Sequence, residues 1–317
     1  MRHIEPLTLD DVRAARDRIR GSVVRTPLVK LEVDAPAEIY LKLETLQPIG
    51  SFKLRGATNA IRTLSPDALS RGVYTASAGN MAQGVAWGAR ELGIPCTVIV
   101  PESAPKTKLD AVTRMGARIV ALPYDEWWQT LVDHGKEGIE GTFIHPVADR
   151  AVMAGNGTIG LEIVEDLPDV DAVLVPFGGG GLVTGIATAV RGLAPRAKVY
   201  ACEVDTATPL TAAFAAGEPV TVDRHPSFVD GIGGRGVLPE MWPLVRTLDG
   251  ALVASLDEVA RALRLLVERT RIVAEGAGAT AVAAGLTGRG GSGKVVCVVS
   301  GGNIDLQTLI DLLSASR

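Results

Sequence analysis

The 317-residue sequence predicts an α/β protein built on open, mainly parallel sheets, with enough chain for two domains. Three observations lead there. Short apolar runs of strand length alternate with amphipathic runs of helix length along most of the chain, the pattern of βα units. The 36 glycines gather in short clusters after such runs instead of forming linkers, which points to tight backbone sites for ligands. Three successive βα units of small size predict a compact lobe over residues 49–146.

The elements can be justified in order. Thr8 and Asp11 form a capping-box pattern opening a helix through Ile19, with Leu9, Val12 and Ile19 on one stripe and Gly21 as its stop. Ile39-Tyr40-Leu41-Lys42-Leu43-Glu44 alternates as a strand, and Gln47-Pro48-Ile49-Gly50 turns it into a helix. GVYTAS into NMAQGVAWGARELG, CTVIVP into APKTKLDAVTRMG, and ARIVAL into YDEWWQTLVDHGKE are the three βα units. A long helix over Arg150–Asp166 follows, then the strand DAVLVPF, a helix in LVTGIATAVRG and the strand KVYACEV. An irregular glycine-rich stretch near residues 225–237, a helix capped by Ser255 and Glu258, the strand KVVCVVS and a terminal helix complete the chain. No repeat of 20–50 residues is evident.

Composition excludes several classes. With 47% hydrophobic and 21% charged residues and a formal net charge of -4, nothing electrostatic favours nucleic acid. No apolar run approaches the ~20 residues of a membrane span, and the N-terminus carries acids without an apolar core, so the expected location is cytoplasmic. Cys96, Cys202 and Cys297 lie far apart in apolar, strand-like runs and read as buried thiols, not as a disulfide framework or zinc site.

Four stretches carry chemistry. In GSFKLRGA, residues 50–57, Lys53 opens a helix among apolar neighbours, where burial beside Arg55 is expected to lower its pKa and make it a nucleophile; the alternative is a lysine lying along a helix surface. Gly178-Gly179-Gly180-Gly181-Leu182 sits between a strand and a helix, where successive N–H groups and the helix dipole can hold a dianion. The dinucleotide fingerprint GxGxxG fits no register there. Ser77-Ala78-Gly79-Asn80-Met81 also joins strand to helix, so its amides could clasp a carboxylate while Asn80 donates to an oxyanion; Ser77 or Asn80 could instead be a plain helix cap. Ser300-Gly301-Gly302-Asn303 ends the last strand, on the side where open parallel sheets bind ligands. Ser292-Gly293-Lys294 runs directly into a strand and reads as a surface turn, not a P-loop.

GSFKLRGA, SAGN, GGGGL, the EGAGA run at residues 275–279 and SGGN occur in the order and spacing that resemble the serine/threonine dehydratase family of pyridoxal 5'-phosphate enzymes, which includes serine racemase. The resemblance covers nearly the whole chain. It implies the tryptophan-synthase-β type of fold: a large domain from residues 1–48 and 147–317, a small one from 49–146, the cofactor between them, and a homodimer. It implies further that Lys53 forms the Schiff base, that Phe52 lies against the cofactor ring and that Asn80 bonds its phenolic oxygen. Gly178, Gly179, Gly180, Gly181 and the Leu182 amide would hold the phosphate. Ser300 would face the pyridine nitrogen, and Glu275 would lie near the ring, unless it serves as a helix cap.

The function implied is β-elimination of water from L-threonine or L-serine, giving a 2-oxo acid and ammonia, with Lys53 as general base. Racemisation would need a hydroxyl where this chain has Ala78. Met81 stands where the family shows histidine and Asn156 where glutamine is usual, so both are expected to border the substrate together with Ser77, Ala78 and Gly79, which leaves open another 3-hydroxy amino acid such as 3-hydroxyaspartate. The cation site of serine racemase maps onto Glu203, Ala207 and Pro209; proline offers no side-chain oxygen, so no tight metal site is expected, although Asp205 is near. The chain ends at Arg317, with no regulatory domain expected after the last helix. A different class, a non-catalytic α/β protein whose glycine loops hold some other phosphate ligand, is the rival reading.

Overall fold

Two sheets organise the computed structural model, which describes residues 2–104 and 106–314; Arg317 lies outside the described residues. Thr8 accepts from the Asp11 amide while the Asp11 carboxylate takes the Thr8 amide, and α1 (Leu9–Ile19) follows with Val12, Ala15 and Ile19 buried. After β1 (Leu28–Lys30) and β2 (Glu38–Leu43) the chain turns into α2 (Lys53–Arg62). Next come α3 (Pro66–Ser70), β3 (Val73–Ala76), α4 (Asn80–Leu92), β4 (Cys96–Pro101), α5 (Lys106–Arg114), β5 (Arg118–Leu122), α6 (Tyr124–Val132) and β6 (Thr142–Phe143). These strands make a four-stranded, all-parallel sheet in the order β5-β4-β3-β6.

Asp149 accepts from the Ala151 and Val152 amides to start α7 (Arg150–Asp166). Then follow β7 (Ala172–Pro176), α8 (Gly181–Leu193), β8 (Lys198–Val204), α9 (Pro209–Ala216), α10 (Trp242–Val245), β9 (Gly250–Ala254), α11 (Leu256–Thr270), α12 (Gly276–Leu286), β10 (Lys294–Val299) and α13 (Leu306–Ser314). The second sheet has the order β1-β2-β10-β7-β8-β9. All its pairings are parallel except β1 with β2, so the sheet is mixed but mainly parallel, as the sequence predicted.

Alternation along the central strands splits the core in two. Leu174 and Cys297 face α12, while Val173, Val175, Val296 and Val298 face α7 and α8. The α7/α8 contact depends on Gly185: a Cβ there would press on the Met153 carbonyl and lie 2.7 Å from the Gly157 nitrogen. All three cysteines are free and buried on strands, and burial pushes the Cys96 and Cys297 thiols up to about 12.

Candidate active site

The order of the six-stranded sheet brings distant motifs together. Because β10 lies between β2 and β7, the segment after β10 has the turn into α2 on one side and the glycine loop after β7 on the other. Ser51 bridges to Gly301, the Phe52 amide donates to the Ser300 carbonyl at 2.9 Å, and the Gly302 amide donates to the Gly50 carbonyl at 2.9 Å. Lys53 is thus tied to Ser300 through the backbone. Ser300 itself is 3% exposed.

The Lys53 amine donates to the Pro146 carbonyl at 2.7 Å and lies 5.2 Å from the centre of the Phe52 ring. Its pKa is lowered to about 8, and the cause is burial alone. Arg55 does not act on it as the sequence suggested. The Arg55 guanidinium is fully buried between two carboxylates, donating from Nε to Glu44 at 2.8 Å and from Nη1 to Glu162 at 2.6 Å, while Lys42 completes the cluster on Glu162 at 2.6 Å. Neighbouring carboxylates raise the Arg55 pKa further, against the effect of burial. Its charge is spent locally, and Lys53 is an amine in an apolar, partly open setting and not a surface lysine.

The glycine loop meets the same place. Among the described residues, the N–H groups of Gly178, Gly179 and Gly180 donate to no carbonyl or side chain, and α8 begins at Gly181 without a side-chain cap. Gly180 has φ +97°, which glycine alone adopts freely. A Cβ on Gly179 would lie 2.7 Å from the Val147 side chain, so the loop packs on the residue after the carbonyl that holds Lys53. The Leu182 amide is in the first turn of α8, and its side chain is buried.

Asn80, the first residue of α4, reaches across to the large sheet. Its Nδ2 donates to Glu275 Oε1 at 2.8 Å, and its Oδ1 accepts from Asn303 Nδ2 at 2.7 Å. Asn303 also donates to the Ile49 carbonyl at 2.8 Å, which can only accept; this orients both amides. Glu275 occupies the cap position of α12, but its side chain makes no capping bond, so the plain-cap alternative fails. It fails for Ser77 and Asn80 too: α4 is entered through Gly79 without a side-chain cap, and Ser77 Oγ takes the Gly79 amide at 3.2 Å.

Met81 and Asn156, both expected to border the substrate, are buried in helix packing. Met81 is 1% exposed and its thioether packs in the core of the smaller sheet with Ala57, Val85 and Ile144. Asn156 is 1% exposed on α7, where its Oδ1, without a hydrogen-bond partner, faces Gly56 of α2. Helical periodicity explains both, since each side chain falls on the face its helix buries. Ala78 and Gly79 remain part-exposed in the loop. Glu203 spends its carboxylate on α9, accepting from the Leu210 amide at 2.7 Å, the Thr211 amide at 2.9 Å and the Thr211 hydroxyl at 2.6 Å, because Pro209 starts a helix there. No group of three or more potential ligands for a metal occurs among the described residues. Sequence reasoning missed Asn303 as a site residue, the Pro146 carbonyl and the carboxylate partners of Arg55; Asn303 and Arg55 themselves stood in motifs already noticed.

The model of the family described as pyridoxal-phosphate dependent enzymes matches residues 19–301. The chain belongs to that family. Among curated relatives, an L-threonine ammonia-lyase of Thermotoga maritima is 40% identical over 310 residues, covering 96% of this chain and 77% of that one. A catabolic L-threonine dehydratase of Escherichia coli K12 is 38% identical over 311 residues, 95% of this chain and 94% of the relative. Among solved structures, maize serine racemase superposes with a TM-score of 0.91 at 32% identity, covering 97% of both chains. A threonine deaminase from T.th. gives a TM-score of 0.83 at 33% identity, covering 95% of this chain and 99% of that one.

The residues fit the family's cofactor. Pyridoxal phosphate needs an amine, a seat for a dianion and a support for its ring. Here a half-buried amine with lowered pKa, a run of undonated backbone N–H groups at a helix start and the buried Ser300 stand around one junction.

Proposed function

We propose that the chain is a lyase that eliminates water from L-threonine or L-serine, releasing a 2-oxo acid and ammonia. The observation that carries this reading is the convergence of Lys53, the glycine loop and Ser300 at the ends of neighbouring strands β2, β7 and β10, in a chain similar to threonine ammonia-lyases. Lys53 would hold the cofactor covalently and, with its amine free, would take the Cα proton of the substrate. With a pKa near 8 it is substantially neutral at mildly alkaline pH. Bound pyridoxal phosphate supplies the sink for the electron pair left at Cα. The hydroxyl leaves as water, and the released enamine tautomerises and hydrolyses, so one water is lost and one consumed.

Gly178 to Leu182 would hold the phosphate, Asn80 would donate to the ring oxygen, Phe52 would support the ring and Ser300 would face its nitrogen. Glu275 and Asn303 keep the Asn80 amide in its donor orientation. The loop of Ser77, Ala78 and Gly79 receives the substrate carboxylate through the Ala78 amide, since the Ser77 amide donates to the Ile99 carbonyl and the Gly79 amide to Ser77 Oγ, with Met81 and Asn156 shaping that loop and α2 from behind. Residues 49–146 form the small domain and residues 1–48 with 147–317 the large one. Absence of a hydroxyl at Ala78 favours elimination over racemisation. A cytoplasmic homodimer is the assembly we propose, in keeping with three free thiols.

Purified protein with pyridoxal phosphate is expected to show visible absorbance and to release 2-oxo acid from L-threonine and L-serine. Lys53→Ala is expected to lose both. D-isomer formation without keto acid would replace this reading with racemisation, and a colourless protein that takes up no pyridoxal phosphate would end it.

A further inference from the structure

The carbonyl that holds Lys53 has a support of its own. The Pro146 C=O and the Val147 N–H belong to one peptide unit. That N–H donates to His145 Nδ1 at 3.0 Å, and the Ala148 N–H donates to the same nitrogen at 2.8 Å. Since a trans peptide is planar, its N–H and C=O point to opposite sides. Pinning the N–H on His145 therefore aims the Pro146 oxygen the other way, where Lys53 Nζ meets it at 2.7 Å.

The imidazole is built in firmly. It is 2% exposed, stacks on His134 at 4.3 Å and meets the Phe143 ring edge-on at 5.8 Å. Accepting twice at Nδ1 puts its proton on Nε2, which finds no partner of ordinary hydrogen-bond geometry. Burial first, and then the neighbouring His134, keep it neutral, with a pKa lowered to about 3. On the other side of the same turn, Val147 packs on Gly179. His134 in turn bonds Glu240 at 3.1 Å, so the imidazole stack is anchored to the segment just before α10.

We infer that His145 is a positioning residue for the reacting amine: by accepting the Val147 and Ala148 amides it fixes the 146–147 peptide, whose carbonyl orients Lys53 whenever that lysine is free of cofactor. The inference rests on the covalent role proposed for Lys53. A neutral amine has two N–H bonds and one lone pair. Giving one N–H to a fixed acceptor confines the lone pair to a narrow set of directions, and a carbonyl serves amine and ammonium alike without taking the proton. An unanchored amine loses that orientation, and a misplacement of about 1 Å can cost on the order of 10²-fold in rate.

The test follows capture of pyridoxal phosphate by the apoprotein, in which amine and aldehyde condense to a C=N bond and release water. Absence of Lys53-dependent absorbance in the unaltered protein would overturn the covalent reading and this inference with it. His145→Phe keeps a flat ring between His134 and Phe143 but removes the acceptor; capture is expected to slow about 10- to 100-fold, and kcat to fall by a similar factor with KM changed less than about 3-fold. His145→Asn restores an acceptor for amides two and three residues on, as in an Asx turn, and is expected to recover to within about 5-fold of the unaltered rate. Normal capture by His145→Phe overturns the inference alone. So does a His145→Asn variant as slow as His145→Phe, since ring packing would then be the whole role. If His145→Phe does not fold, His145→Gln, whose acceptor sits one methylene too far out, takes its place against His145→Asn.

Discussion

Glu162→Gln probes the charge cluster under α2 most directly. Lys42, Arg55 and Glu44 are 0% exposed in their side chains and Glu162 is 8% exposed, so two cations and two carboxylates balance away from water. Glu162 accepts from Arg55 Nη1 at 2.6 Å, Arg55 Nη2 at 2.9 Å and Lys42 Nζ at 2.6 Å. Its amide analogue leaves one positive charge uncompensated in the interior, and breaking a buried pair in this way costs about 3–5 kcal/mol. Lys42→Met combined with Glu162→Gln restores neutrality around Arg55 and Glu44. The double variant is therefore expected to be more stable than Glu162→Gln by about 1–2 kcal/mol, where additivity with a destabilising Lys42→Met single variant would make it less stable. Urea unfolding of the apoprotein, read by both circular dichroism and tryptophan fluorescence and accepted where the two coincide, measures it. Glu162→Gln within about 1 kcal/mol of the unaltered protein, together with additive effects in the double variant, would refute the account of a dry, balanced cluster.

Other expectations are briefer. In the apoprotein the Lys53 amine has a pKa of about 8 against 10.5 for a free lysine, so the unfolded chain binds the proton first as pH falls. This lowers stability by about 3 kcal/mol at pH below 8 relative to pH above 10.5, and the rise between those values should vanish in Lys53→Met, by comparing urea midpoints. Glu203→Ala removes three bonds at the start of α9 and is expected to cost about 1–3 kcal/mol, while calcium or a chelator leaves the thermal midpoint of the unaltered protein unchanged. Gly185→Ala forces a Cβ onto the α7 backbone and should cost about 3 kcal/mol or more, or abolish soluble expression, whereas Gly79→Ala meets nothing within 4 Å and should leave the thermal midpoint near that of the unaltered protein.

Much of the frame could be read from residue order because local chemistry announces it. The helix Arg150–Asp166 and the capped helices at Thr8 and Ser255 begin where a side chain satisfies orphan amides, and such caps are visible in sequence. Other elements give no such sign. Leu28–Lys30 is a short, half-exposed edge, so its antiparallel pairing depends on β2 and not on a pattern of its own. Gly276–Leu286 is a helix of small residues buried on nearly every side, without the amphipathic stripe that would have revealed it. The site divides in the same way. Lys53, Asn80, the four glycines and Ser300 sit in recognisable strand-end motifs. The partners of Arg55, up to 107 residues away, and the pairing of Lys53 with Pro146, 93 residues on, exist only through the fold. Arg55 therefore reads in the sequence as a neighbour acting on Lys53, because nothing there shows that two distant carboxylates claim it.

The position of β10 between β2 and β7 has a consequence for synthesis. The strand of this sheet made last among the described residues has neighbours on both flanks, so on the ribosome β2 and β7 wait with a vacancy between them until Lys294–Val299 has emerged. The four-stranded sheet, complete by residue 143, faces no such delay. A nascent chain can thus acquire its smaller sheet early yet has no finished seat for the vitamin until β10 is made, and a transcript cut short before β10 yields a protein with nothing to hold it.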